Sequence, residues 1–273
     1  MTITTDTREA IIAAVTDAGR GLLSAHDIES HMKVKPGDAN FATEWDIETQ
    51  RKLCGELHRI LPEAGFIAEE DGGAVVDGAN AASGADEAIL FIVDPIDGTT
   101  NFIHGLSHSA VSVAVAVGGV PVFGCVYNPY LDEMFYASAG EGAYLRKKGV
   151  TTRLSVSKRT LKDALSAFGT TPYDRTKAAE TFRLAERLYL SCREIRREGS
   201  AALDICYVAA GRYDVYFELT LSPWDFAAAE IILTEAGGLL TRLDGGGIDA
   251  REKTSVLATN IAAREEAVRL LNE

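Results

Sequence analysis

Apolar residues recur at helical spacing near the start of the chain, with Ile11, Val15, Ala18 and Leu22 on one stripe. The spacing predicts an amphipathic helix over about residues 7–30, with Asp6 and Glu9 as its capping box. A second stripe, Leu53, Leu57, Ile60 and Leu61, predicts a helix over residues 47–61 that Pro62 and Gly65 end. Phe66-Ile67-Ala68 is a short strand leading into Glu69-Glu70. Residues 71–86, DGGAVVDGANAASGAD, are small and flexible in composition and read as a long mobile loop, a connection or a lid. The unbroken apolar run Ala88–Val93 predicts a buried strand. Residues 111–117 and 120–127 flank Gly118-Gly119 as a hairpin, and residues 133–136, 142–145 and 152–156 continue an antiparallel meander.

The rhythm then changes to strand and helix in alternation. Strands are predicted at 165–169, 213–218, 239–243 and 255–259, and helices at about 175–192, 200–210, 223–236 and 261–271. Pro223 takes the favoured first-turn position of its helix, and Gly237-Gly238 closes it. The pattern describes an α+β subdomain, residues 1–157, followed by an α/β subdomain, residues 158–273, in one catalytic unit. No internal repeat or linker separates them.

Composition adds limits. An apolar fraction of 47% over 273 residues supplies a sizeable core. A net charge of −13 argues against a nucleic-acid backbone binder, which needs a basic stripe. It also means that an anionic substrate is repelled unless cations intervene. Cys54, Cys125, Cys192 and Cys206 form no CxxC pair and read as reduced thiols, which suits the cytoplasm. The start, MTITTDTREA, has neither the basic nor the apolar region of a signal peptide, and no run approaches a membrane span.

The candidate chemistry lies in Asp94-Pro95-Ile96-Asp97-Gly98-Thr99-Thr100-Asn101-Phe102. Asp94 and Asp97 emerge at the carboxyl edge of a buried strand, Pro95 stiffens the turn and Gly98 permits a tight backbone. Two carboxylates close together in a partly buried site repel unless a cation neutralises them. Oxygen-only ligands favour a hard ion, magnesium first. The N–H groups at Gly98 and Thr99, where a short helix starts, suit a phosphate. Taken alone, the D-x-x-D-G turn fits a capped turn equally well, and it matches neither a P-loop nor an EF-hand. Asp225, in Pro223-Trp224-Asp225, opens the apolar helix FAAAEIILTEAGG, where a carboxylate is also a plain dipole partner.

DPIDGTTNF, WDFAAAEIILTEAGG and the upstream Glu69-Glu70 together resemble the inositol monophosphatase family of magnesium-dependent, lithium-sensitive phosphatases, from about Lys35 to the last helix. The resemblance implies a layered αβαβα sugar-phosphatase fold, with an antiparallel N-terminal sheet, a mixed C-terminal sheet and helices on both. It also implies hydrolysis of a phosphate monoester, with two or three Mg2+ held by Glu69, Asp94, the carbonyl of Ile96, Asp97 and Asp225. Thr99 and Asp46, with Glu69 beside them, match the groups that position the attacking water, and Thr43 lies in the T-x-x-D pattern that delivers Asp46. Gly98, Thr99, Ala201 and Asp225 match substrate-site positions, Ala201 within Gly199-Ser200-Ala201-Ala202. Glu218 matches a glutamate that contacts substrate hydroxyls in the inositol-specific members.

Ala68, Trp45, Ser107 and Pro223 depart from common family residues and bear on the substrate more than on the chemistry. Inositol 1-phosphate is the first substrate implied. Fructose 1,6-bisphosphate, histidinol phosphate and 3′-phosphoadenosine nucleotides are alternatives, and a non-catalytic regulator is a third reading. A homodimer is expected from the family, through apolar parts of the antiparallel half. His104 and His108 read as structural. Arg193, Arg196 and Arg197 could meet an anionic substrate, a partner chain or only solvent. Arg146-Lys147-Lys148 reads as a charged hairpin tip.

Overall fold

The structure, a computed structural model, describes residues 3–26, 28, 32–34, 41–72, 75–76 and 88–273. Lys35 and most of the 71–86 segment lie outside the described residues. The first half runs through α1 (Thr5–Leu22), β1 (Met32–Val34), β2 (Phe41–Thr43), α2 (Glu44–Ile60), β3 (Gly65–Ala68), β4 (Val75–Val76), β5 (Ile89–Asp97), α3 (Thr99–Ile103), β6 (Ala110–Val117), β7 (Val120–Asn128), β8 (Glu133–Ser138), β9 (Gly142–Lys147) and β10 (Val150–Arg153). The second half adds β11 (Leu165–Phe168), α4 (Ala178–Ser191), β12 (Glu194–Arg196), α5 (Ala201–Ala209), β13 (Val215–Leu221), α6 (Pro223–Glu235), β14 (Leu239–Thr241), β15 (Thr254–Thr259) and α7 (Ile261–Asn272).

Eight strands form one sheet in the order β10-β9-β8-β7-β6-β5-β3-β4, antiparallel except where β3 pairs β5. Five form a mixed sheet in the order β12-β11-β13-β15-β14, with β11 parallel to both of its neighbours.

Strand alternation sorts the side chains into layers. Phe91 and Val93 of β5, with Val111, Val113 and Val115 of β6, face α1 and α2 and pack on Ile11, Val15, Leu53 and Leu57. Leu90 and Ile92, with Ala114 and Ala116, face the other way, onto α5 and α6. The same two helices meet Ala167, Tyr216 and Ala258 of the five-stranded sheet. Its far face carries Phe168, Val215, Phe217 and Leu257 against Leu184 and Leu188 of α4 and Ala263 and Ala267 of α7. The order is therefore helices, sheet, helices, sheet, helices, as the resemblance implied.

Burial between two sheets explains why α6 is apolar all round rather than striped. Its small residues let it lie close to β7. A Cβ on Gly124 would stand 2.4 Å from the Ala228 carbonyl oxygen, so only glycine fits there.

Three local expectations are corrected. Thr4, not Asp6, caps α1, its hydroxyl accepting from the Thr7 N–H at 3.2 Å. The helix ends at Leu22 rather than near residue 30, because Leu22 is the last member of the buried stripe and Leu23 is exposed. The last meander strand covers Val150–Arg153 rather than 152–156. Lys148 and Gly149 both have positive φ, making a two-residue turn that pairs Lys147 with Val150. The pairs β1–β2 and β11–β12 were not anticipated.

Among the described residues, no helix is long and apolar enough to cross a membrane. All four cysteines are free thiols. Exposed apolar side chains include Phe182, Tyr189 and Leu190 on α4 and Val120, Leu131 and Val150 in the antiparallel half.

Candidate active site

Asp94 and Asp97 lie at the end of β5, where its pairing with β6 slips out of register between the two residues. The irregularity frees the strand end from the ladder and lets both carboxylates project on one side. Asp94 Oδ1 accepts from the Ile96 N–H at 2.9 Å. Asp97 Oδ2 accepts from the Ser200 hydroxyl and from the Ala202 N–H at 2.8 Å, which ties β5 to the start of α5. Gly98 then takes a left-handed turn, φ 90°, into α3.

Asp225 arrives from a distant segment. It is the third residue of α6, and its Oδ2 accepts from the Ser222 N–H at 2.7 Å, fixing it at the helix start. Single carboxylate oxygens of Asp94, Asp97 and Asp225 lie within 4.8 Å of one another. Asp94 and Asp97 are buried, and Asp225 is half-buried as a whole residue with its carboxyl end enclosed among the acids.

Glu69 stands beside this trio, at the head of a short 3-10 turn after β3. Gln50 of α2 braces that turn, accepting from the Glu70 N–H at 2.9 Å and donating to Asp71 at 3.0 Å. Asp46 is buried in the first turn of α2, where it forms a capping box with Thr43. The Thr99 hydroxyl lies 3.0 Å from the Ile96 carbonyl oxygen and 3.3 Å from Asp46 Oδ1, so it can donate to either.

The electrostatics are those of a site short of positive charge. Burial, then Glu69, Asp97 and Asp225, push Asp94 well above the ordinary carboxylate range. Burial, then Asp97 and Glu69, do the same to Asp225. Burial raises Asp97 to about 6, held back by its bonds from Ser200 and Ala202. Among the described residues no lysine or arginine forms an ion pair with any of the three. Enclosed oxygens without a cationic side chain fit a hard divalent cation.

Asp97 and Asp225 open into a solvent-connected cleft. Gly98, Thr99, Ala201, Glu218 and Asp225 all line it, so the structure gathers the expected substrate-site residues on one wall system. Glu218 is buried, with Oε1 accepting from the Thr171 N–H at 2.6 Å and Oε2 from the Tyr216 hydroxyl at 2.6 Å.

Among the lining residues absent from the site expected from sequence are Tyr173, Ser200 and Asp204, and of the three arginines that could meet an anionic substrate only Arg197 lines the cleft. Ser200 was visible as part of Gly199-Ser200-Ala201-Ala202, but only the fold shows it bonding Asp97. Asp204 is buried on α5, 3.8 Å from His108 Nε2, too far for a hydrogen bond. Burial pushes the His108 imidazole down, but Asp204, then Glu198 and Asp97, outweigh it and hold it above its ordinary range. His104 is exposed.

Residues 4–273 match the model of the inositol monophosphatase family. A protein of Vibrio cholerae called Nus factor SuhB is 36% identical over 253 residues, covering 91% of this chain and 89% of that one. An inositol-1-monophosphatase of Caulobacter vibrioides is 34% identical, covering 92% of this chain and 94% of that one. Among solved structures, the extragenic suppressor protein suhB of Bartonella henselae superposes with a TM-score of 0.88 at 33% identity, covering 98% of this chain and 99% of that chain. An IMPase of Thermotoga maritima gives 0.81 at 30% identity, covering 98% and 97%.

Proposed function

The chain belongs to the inositol monophosphatase family, and from that membership we propose that it is a magnesium-dependent phosphatase hydrolysing a phosphate monoester of a polyol, inositol 1-phosphate first. The observation that carries this reading is the meeting of Asp94, Asp97 and Asp225, from segments nearly half the chain apart, within 4.8 Å beside a cleft that Asp97 and Asp225 line.

Glu69, Asp94, Asp97, Asp225 and the Ile96 carbonyl would hold two or three Mg2+. Bound there, the ions supply a Lewis acid that activates water and neutralises the phosphate and the departing alkoxide. This resolves the conflict between an acidic chain and an anionic substrate. Asp46 accepts the Thr99 proton, which leaves the Thr99 oxygen free to accept one from a water molecule and so aim it at phosphorus. Gly98 and Thr99 offer backbone N–H groups to the phosphate. Glu218, fixed by Thr171 and Tyr216, keeps a lone pair on each oxygen for substrate hydroxyls. Ala201, small and beside Asp97, leaves room for the substrate.

The two subdomains act as one unit, because the acids come from both. The four free thiols suit a cytoplasmic setting, and a homodimer is the assembly to look for by light scattering.

The test is phosphate release from inositol 1-phosphate, fructose 1,6-bisphosphate, histidinol phosphate and 3′-phosphoadenosine 5′-phosphate. Activity should vanish in EDTA and return with Mg2+. Asp97→Asn should cost more than the ~10–100-fold typical of a metal's outer-shell partners, with its melting temperature showing that it folds. Full activity in that variant would refute the assignment. A second reading, that the chain serves as the relatives called Nus factor SuhB do, rests on those names. Absence of phosphate release from every ester would favour it.

A further inference from the structure

Three arginines close together in the chain, Arg193, Arg196 and Arg197, differ in what they face. Arg193 pairs with Asp163 at 2.9 Å, and Arg196 lies 3.8 Å from Glu194, both on the exposed edge of the five-stranded sheet. Arg197, also exposed, stands instead at the cleft, and among the described residues it is the one cationic side chain lining it. No carboxylate among the described residues forms an ion pair with it.

Its guanidinium is nevertheless held in place. Nη2 donates to the Thr170 hydroxyl at 2.8 Å. Nη1 lies over Gly199, where a Cβ would come within 2.7 Å of it. Burial raises the pKa of Glu218, and the Arg197 charge, after the bonds from Tyr216 and Thr171, opposes that. Thr170 adjoins Thr171, which bonds Glu218, so the loop after β11 links the guanidinium to the carboxylate proposed to meet the substrate's hydroxyls.

The phosphate under attack does not require this charge, since the cations held by the acids serve it. We propose that Arg197 is a specificity residue that binds a second anionic group on the leaving alcohol, so that the enzyme favours phosphate esters carrying a further phosphate or carboxylate. The inference rests on the phosphatase reading, and within it ranks doubly anionic esters above inositol 1-phosphate, the first substrate named from the family. A guanidinium presents paired N–H donors to such a group. The surrounding Asp97, Asp204, Glu218 and Asp225 repel the same anion, so selectivity for it depends on Arg197.

The experiment uses the full-length enzyme at saturating Mg2+ with two substrates that differ by one remote phosphate, fructose 1-phosphate and fructose 1,6-bisphosphate, and measures release of the first phosphate. Arg197→Ala should lower kcat/KM for the bisphosphate at least about tenfold more than for the monophosphate. Arg197→Lys, which keeps the charge and loses the fork, should retain part of the preference. Equal losses on both substrates would overturn the inference. Salt gives a check that needs no variant. Raising ionic strength from roughly 20 to 200 mM screens exposed charges, so KM for the bisphosphate should rise relative to that for the monophosphate. A relative fall would mean that repulsion by the acidic chain dominates, and would also overturn it. An enzyme inert on both sugars and on inositol 1-phosphate refutes the phosphatase reading instead.

Discussion

Glu230, on α6, has an Oε2 that is buried without a hydrogen-bond partner among the described residues. Burial, then the charge of Asp249, raises its pKa to about 7. The folded state therefore holds a proton that the unfolded chain has already released, so stability falls as pH rises from the ordinary glutamate range to about 7, and the deficit is complete above that. Glu230→Gln should raise the melting temperature by on the order of a few °C at pH 8 and far less at pH 4.5. An equal shift at both pH values would refute this account. At this scale the sequence was informative where residue type and motif coincide. Asp94, Asp97 and Asp225 were legible because their motifs occur together and in family order, whereas each alone also fits a capped turn or a helix dipole. Asp204 was not legible, because a lone acid inside an apolar helix carries no local signal, and the arginine trio was flagged without a sign of which member faces the cleft. The position of Asp204 comes from α5 passing beneath the cleft.

Elements decide whether those side chains stay in position. The capping box of Thr43 and Asp46 starts α2 and holds Asp46 toward Thr99. Thr43→Ala should cost roughly 1 kcal/mol of stability, measurable by urea denaturation, and should lower kcat more than it raises KM. A loss confined to KM would mean that Asp46 does not orient the nucleophile. Close approach between α6 and β7 is the other dependency. Gly124→Val should destabilise by on the order of 2–3 kcal/mol, because the clash is with the Ala228 backbone and no side chain can swing aside. Helix stripes and the Gly118-Gly119 hairpin could be read from sequence, since periodicity is local. The three-residue strand Glu194–Arg196 could not, because its charged residues mimic a loop and only pairing with β11 makes it a strand. The early end of α1 was hidden for a related reason: apolar residues past Leu22, Ala25 and Ile28, still pack on the core, so periodicity alone does not mark the stop.

For the molecule as a whole, the acid cluster links folding to divalent cations. Asp94 and Asp225 titrate well above the carboxylate range and Asp97 at about 6, each raised first by burial. Raised acids bind protons more tightly folded than unfolded, so without metal stability should fall as pH climbs from near 4 through about 6. Bound Mg2+ replaces the missing protons. The gain in melting temperature between EDTA and saturating Mg2+ should therefore be larger at pH 7.5 than at pH 5, and a gain independent of pH would remove the cluster from the argument. The two halves were legible from the change of rhythm near residue 158, because a run of hairpins and a run of strand-helix units bury their faces differently. The layered order came only from the family resemblance, since it depends on the alanine-lined contact of α5 and α6 with both sheets at once.

Because Asp94 and Asp97 precede Asp225 by nearly half the chain, a polypeptide still being synthesised carries only part of the cluster. The cluster is complete only once α6 has left the ribosome and inserted between the sheets. On the phosphatase reading, the chain is silent until then.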